Sequence, residues 1–590
     1  MKKFLARTLM LIGAWVVVMA IVGAIATLMS QESLPERIVL EIDFEREFAE
    51  YILTDPLASV LMEQTVSVRD IVDALHQAAT DERVLALVAR AGTPRMGLAE
   101  IQEVRDAVMA FRESGKPTVA YAETFGEFGP GNGAYYLAAA FDRIYLQPSG
   151  DIGLTGLMAE SAFVSGTLEK LGLSPRMDHR YEYKNALNMF TEKKYTQPHR
   201  EAILQIIESQ FGQIVQGIAT GRGLEVDAVR TLVDRGPFLG KQALAENLVD
   251  ELAYRDEVQA IIDADLGEEA EHVSLFSYLR QMGRPHSEGE AVALIYGVGG
   301  VHRGKSEYSA ALSGPTMGSD SVSAAFRSAV QDDTVKAILF RVDSPGGSYV
   351  ASDTIWRETV RAKEAGKPVI VSMGNVAGSG GYFVAAAADK IVAQPGTITG
   401  SIGVVGGKML TAELMEKIGI SSDEVHTSTN ATMWSSSLDY TPQQWHRITT
   451  WLDHVYADFT QKVAQGRGLT QEQVHAVAKG RIWTGEDAKD IGLIDELGGF
   501  PAALRLAKQA AGIAEDAPVQ VKLFPEQQTL VDTLLSRLQG REDAAAEANP
   551  TAAALRQVIR AVRPVIQMGQ RLGLWSEPGV LTMRQWETAW

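Results

Sequence analysis

Cysteine is absent from all 590 residues. That excludes a disulfide framework and a thiolate nucleophile. Basic residues are in deficit, 55 Lys and Arg against 74 Asp and Glu, for a net charge of −19. Such a chain offers no basic surface for nucleic acid. The 10 histidines are scattered and form no HExxH or HxH cluster. No zinc or other metal site is therefore expected, and nothing in the chain calls for a cofactor.

Uncharged apolar sequence is present at the N-terminus, over Leu9–Met29. It is long enough for a bilayer core. Lys2, Lys3 and Arg7 precede it, and Glu32 and Glu36 follow. The positive-inside rule then puts 1–8 in the cytoplasm and the rest outside. A cleaved signal peptide ending near Ala24-Ile25-Ala26 is the alternative. The run continues past that point, so an uncleaved transmembrane signal-anchor helix over 9–29 is the expectation.

Self-similarity organises the remainder. "GNGAYYLAAAFDRIYLQPSGDIGLTG" (131–156) aligns without a gap on "GSGGYFVAAAADKIVAQPGTITGSIG" (378–403). "DERVLALVARAGTP" (81–94) matches "DDTVKAILFRVDSP" (332–345), and "GKQALAENLVDEL" (240–252) matches "GEDAKDIGLIDEL" (485–497). "GRGL" recurs at 221–224 and 466–469. The chain is read as a duplicated unit of roughly 250 residues, a first repeat over 30–288 and a second over 289–525, with a helical C-terminal extension over 526–590. In the second unit, strand-like runs at 335–342, 368–373 and 391–393 alternate with helical patterns near 350–365 and 381–388. This predicts an α/β fold of parallel βαβ units.

The two copies differ where chemistry is expected. Ser379, flanked by Gly378, Gly380 and Gly381, aligns with Asn132. Asp343-Ser344-Pro345-Gly346-Gly347 aligns with Gly92-Thr93-Pro94-Arg95-Met96. Ser401 aligns with Leu154. A serine between glycines at a strand-to-helix turn can present its oxygen, and bare backbone N–H groups nearby can hold an oxyanion. The GxSxG elbow is only approximated, because position 377 is Ala. Such a serine also needs a base. His426, His446 and His454 lie in no recognisable constellation. A buried lysine is the other option, since desolvation lowers its pKa.

"DSPGG" (343–347), "GSGGYF" (378–383), "TGSIGV" (399–404) and "YKNALNMFTEKKYT" (183–196) together resemble the long, duplicated form of the signal peptide peptidase A (SppA, protease IV) family. The resemblance implies a crotonase/ClpP-like fold and a Ser/Lys dyad, with Ser379 as nucleophile and Lys184 as general base. It also implies Gly380 and one of Gly346 or Gly347 as oxyanion donors, and Ser401 as the residue that orients the lysine. Lys184 falls opposite 427–434, which holds no lysine. One composite site per chain is therefore expected, whereas Lys193 and Lys194, beside Glu192, read as solvated. The implied function is a membrane-anchored serine endopeptidase of the bacterial cytoplasmic membrane, its catalytic body periplasmic, degrading cleaved signal peptides. A homotetramer and apolar peptide substrates are implied as partners. The alternatives are a crotonase-fold enzyme handling acyl-CoA and a non-catalytic membrane scaffold.

Overall fold

The computed structural model describes residues 34–51, 66–267, 270–309 and 314–525. Two sheets dominate. The first has six strands in the order Glu251–Leu252, Arg143–Leu146, Thr118–Ala122, Val84–Arg90, Ile38–Asp43, Glu271–Ser274, every pairing parallel. The second has eight. Its main path runs Ile482–Thr484, Ile398–Gly400, Val369–Gly378, Val335–Ser344, Glu290–Val298, Val519–Phe524, and Lys390–Ala393 with Glu496–Leu497 branches from it. Only the pairing of Ile398–Gly400 with Ile482–Thr484 is antiparallel in this second sheet. Central strands are buried on both faces, as parallel sheets covered by helices must be.

The duplication reaches individual caps and hydrogen bonds. Each unit carries a long helix, Gln197–Arg222 and Pro442–Arg467. Both open on a threonine cap, Thr196 or Thr441, with a proline in the first turn. Both close on a left-handed glycine, Gly223 or Gly468. The recurring "GRGL" is thus a helix C-cap. Tyr135 donates to the Leu248 carbonyl at 2.6 Å, and Tyr382 to the Leu493 carbonyl at 2.8 Å. The expected strands are met with small extensions, whereas the helix expected over 381–388 starts one residue earlier and ends three residues sooner. The 335–342 run continues to Ser344, the 368–373 run to Gly378, and the helix after Ser379 is Gly380–Ala385. The ladder continues in both strands because residues beyond the apolar run still pair, Ser344 with Ala377 and Gly378 with Gly400.

The expectations of a transmembrane helix, a membrane anchor and a periplasmic catalytic body are corrected. Among the described residues no helix is long and apolar enough to cross a membrane. Leu9–Met29, on which those expectations rested, lies outside the described residues, as does the extension over 526–590. The homotetramer is likewise withdrawn, because it rested on the family resemblance alone.

Many contacts join the repeats, among them a strand ladder and a buried arginine. Ser174–His179 of the first pairs antiparallel with Val405–Leu410 of the second, in a register from His179 opposite Val405 to Ser174 opposite Leu410. On another face Arg341, 4% exposed, bridges the units. Its Nε donates to Glu50 Oε1 at 2.5 Å, its Nη2 to Glu103 Oε2 at 2.8 Å and its Nη1 to Ser372 Oγ at 2.8 Å. Glu103 in turn accepts from the Phe500 N–H at 2.6 Å. Burial pushes the Glu50 carboxyl up to about 7 against the pull of Arg341. Removing the cation leaves buried carboxylates uncompensated, which costs about 3–5 kcal/mol. The Arg341→Met protein should therefore show a clearly lower urea midpoint. Adding Glu103→Gln should recover part of the loss.

Candidate active site

Ser379 stands between the Val369–Gly378 strand and the Gly380–Ala385 helix, as the helix N-cap. Its backbone is at φ 53, ψ −116, outside the regions open to residues with a Cβ. Such a conformation costs on the order of 1–3 kcal/mol and persists only where neighbours enforce it. Here the Ser379 N–H donates to the Gly400 carbonyl at 2.8 Å, and the Ser379 carbonyl accepts from Phe383 N–H at 2.9 Å. The flanking glycines are explained by space. A Cβ on Gly380 would lie 2.6 Å from Ser352 Oγ, and one on Gly381 2.4 Å from the Ser344 carbonyl oxygen.

Lys184 reaches this serine from the other repeat. It lies five residues beyond His179, the end of the inter-repeat ladder, just before the short Asn185–Leu187 turn. The side chain is 1% exposed. Its Nζ lies 3.0 Å from Ser379 Oγ, 2.8 Å from the Ser401 carbonyl oxygen and 2.9 Å from Ser401 Oγ. Among the described residues no carboxylate contacts the amine, and burial lowers its pKa from 10.5 to about 7. A neutral amine has two N–H donors and one lone pair. With both donors spent on Ser401, the lone pair is left for the Ser379 hydroxyl proton. Ser401 is itself held at φ 53, its N–H donating to the Arg481 carbonyl at 2.7 Å.

Two glycines missed by sequence reasoning make room for the lysine. Gly480, at φ 83, lies so close that a Cβ would sit 2.4 Å from Lys184 Cβ and 2.5 Å from its Cα. A Cβ on Gly403 would meet Lys184 Cδ at 3.0 Å. Gly403 was visible within the "TGSIGV" motif, but Gly480 had no signal beyond being a glycine where the first copy has Arg235.

The remaining predicted residues fall around this pair. Gly380, first residue of its helix, has an N–H with no intrahelical acceptor. The Gly346 N–H donates to Ser344 Oγ at 3.2 Å, while the Gly347 nitrogen lies 3.0 Å from the Cβ position of Gly380. In the first copy, Asn132 is tied into structure. Its Oδ1 accepts from the Thr155 and Gly156 N–H groups at 3.1 and 3.0 Å. Leu154 is fully buried. His426, His446 and His454 are exposed on the surface. Lys193 is exposed and pairs with Glu169 at 3.3 Å. Among the described residues no cluster could hold a metal ion.

The lowered lysine pKa has a thermodynamic consequence. Between about 7 and 10.5 the unfolded chain binds a proton at Lys184 that the folded chain does not. Stability therefore rises with pH across that window and is independent of this group below it. In Lys184→Met, the slope of unfolding free energy against pH should be smaller by up to about 1.4 kcal/mol per pH unit between pH 7 and 10.5. Denaturant titrations across that range measure it.

The family model described as Peptidase family S49 matches residues 110–267 and 361–514. The chain is 30% identical over 532 residues to "Protease 4" of Salmonella typhi, covering 87% of this chain and 83% of that protein. It is 31% identical over 493 residues to "Protease 4" of Haemophilus influenzae, covering 80% and 78%. It is also 30% identical over 468 residues to "Serine protease SPPA, chloroplastic" of Arabidopsis thaliana, covering 78% and 68%. Two α/β units in tandem, a serine and a lysine meeting across them, and matches over most of both chains lead to one conclusion: this chain belongs to peptidase family S49, the serine peptidases of the SppA or protease-4 type.

Proposed function

We propose that Ser379 is the nucleophile and Lys184 the general base of a serine endopeptidase that cleaves peptide bonds through an acyl-enzyme. The observation that carries this reading is the 3.0 Å contact between Lys184 Nζ and Ser379 Oγ in a buried setting without a carboxylate. The neutral amine takes the hydroxyl proton as Oγ attacks the scissile carbonyl carbon. The resulting ammonium gives that proton to the leaving amine, and the regenerated amine then activates water to release the acyl group. The Gly380 N–H and the Gly347 N–H are the proposed oxyanion donors. Gly347 is preferred to Gly346 because the Gly346 N–H is already engaged by Ser344. Ser401 orients the lysine by accepting both its protons.

Membership in a peptidase family displaces the acyl-CoA and scaffold alternatives. The membrane-anchored placement stays withdrawn, so the substrate is stated only as a peptide.

Positioned proton transfer contributes roughly 10²–10⁴-fold. Ser379→Ala and Lys184→Ala should each lower kcat/KM on a peptide substrate by at least about 10²-fold while the protein remains folded. For the unmodified protein, kcat/KM should rise with pH through about 7, as the amine deprotonates. Lys184→Arg should not restore activity, because a guanidinium stays protonated. Near-normal turnover by Lys184→Ala would overturn the assignment.

A further inference from the structure

Arg481 belongs to the second repeat, but most of its side-chain partners belong to the first. Its guanidinium lies between two rings, 4.7 Å from the Tyr183 centroid and 4.7 Å from the Trp483 centroid. Nη1 pairs with Glu201 Oε1 at 2.9 Å, and Nη2 donates to Gln205 Oε1. The Tyr183 hydroxyl donates to the same Glu201 oxygen at 3.1 Å. Tyr183, Arg481 and Glu201 thus form a closed triangle across the junction. Tyr183 immediately precedes Lys184, and its N–H donates to the Lys479 carbonyl at 3.2 Å. At the other end, the Arg481 carbonyl accepts from the Ser401 N–H at 2.7 Å. One residue therefore grips both the peptide carrying the lysine and the turn that receives its amine.

The internal comparison isolates this residue in the catalytic copy. The ungapped match of 485–497 on 240–252, carried back without a gap, sets Arg481 against Gly236 and Gly480 against Arg235. The ladders agree, since Leu239 pairs with Asp151 as Thr484 pairs with Ile398. A feature of the general fold would have a counterpart in both copies. This one occurs only where Ser379 and Ser401 occur.

We propose that Arg481 is a positioning residue for the Ser/Lys dyad, clamping Tyr183 so that Lys184 Nζ stays between Ser401 and Ser379 and sealed from water. This deepens the functional reading above and rests on Lys184 being the base. The charged and titratable groups around the segment are Glu182 paired with Lys479, Glu201 paired with Arg481, Arg180 paired with Asp178 and Asp453, and His475 packed against Tyr181. The polar contacts of Nζ are to Ser379 and Ser401. The clamp consequently acts through geometry and exclusion of water, because only desolvation lowers the amine's pKa. Loosening it hydrates the amine and moves its titration back toward the ordinary lysine range.

The test is the pH profile of kcat/KM for the full chain and for Arg481→Met, which keeps apolar bulk and removes the planar fork. The midpoint should move up by about one pH unit or more, with kcat at neutral pH about 10-fold lower, KM little changed and activity partly recovered at pH 9. Arg481→Lys, which keeps the charge but not the stacking plane, should fall between the two and carries the test if Arg481→Met does not fold. A lowered rate with an unmoved midpoint in the folded variants would overturn the proposal and leave Arg481 a structural contact. The parent reading fails separately, if the unmodified protein shows no midpoint that Lys184→Ala abolishes.

Discussion

A buried amine without a counter-ion is the constraint around which the junction is built. Moving the Lys184 pKa from 10.5 to about 7 costs on the order of 4–5 kcal/mol. A carboxylate beside Nζ would remove that cost, and would also hold the amine protonated at neutral pH. The surroundings supply neutral acceptors instead, the carbonyl and hydroxyl of Ser401 and the hydroxyl of Ser379. Hydrogen bonding is satisfied while the charge is not. The left-handed backbone at Gly480, the missing side chain at Gly403 and the strained turns at Ser379 and Ser401 all serve to bring those groups to one amine.

Strain of this kind needs a stiff frame. Ser379 and Ser401 both have positive φ, and each is tied by a backbone hydrogen bond to a neighbouring segment, Gly400 for the first and Arg481 for the second. The chain thus runs from Ser379 to Gly400, through Ser401 to Arg481, and through Arg481 to Tyr183 and the lysine. The first two links are backbone hydrogen bonds beside strand ends, and the last is the Arg481 guanidinium against the Tyr183 ring in the turn that precedes the lysine. The first copy shows the relaxed alternative. There Asn132 fills the position of the serine and spends its amide on the Thr155–Gly156 turn, so the same scaffold closes on itself.

Much of this was legible in the sequence because duplication supplies an internal control. The paired strands, the recurring "GRGL" and the Ser379 and Gly346-Gly347 differences leave their mark in residue identity at matched positions. Lys184 was found only with the family resemblance, since its role depends on a 195-residue separation in sequence being closed by the junction. Periodicity reports which face of an element is buried, not which element of the other repeat covers it. The same limit hid Gly480, whose importance is a distance to Lys184, and Arg481, whose partners Tyr183, Glu201 and Gln205 lie in the other repeat. It also governed Gly346 and Gly347. Choosing between them required seeing that Ser344 Oγ occupies one of the two N–H groups. The transmembrane expectation came from the length of one uncharged apolar run and its flanking charges, which lie outside the described residues, and no described helix is long and apolar enough to cross a membrane.

Dividing the dyad between repeats makes the proposed base a product of docking. In an isolated first repeat nothing would bury Lys184 on the side now covered by Gly403, Gly480 and Ser401, and an exposed lysine is protonated at neutral pH. In an isolated second repeat Ser379 would keep its turn but face no amine. Neither half can carry out the proposed chemistry before the Ser174–His179 and Val405–Leu410 ladder forms. The ladder ends at His179 and Val405, a few residues short of Lys184 and Ser401 respectively. The last registered backbone pair therefore delivers both partners to the same place. The desolvation that tunes the amine and the alignment that aims it are consequences of one interface, so loosening that interface alters both together.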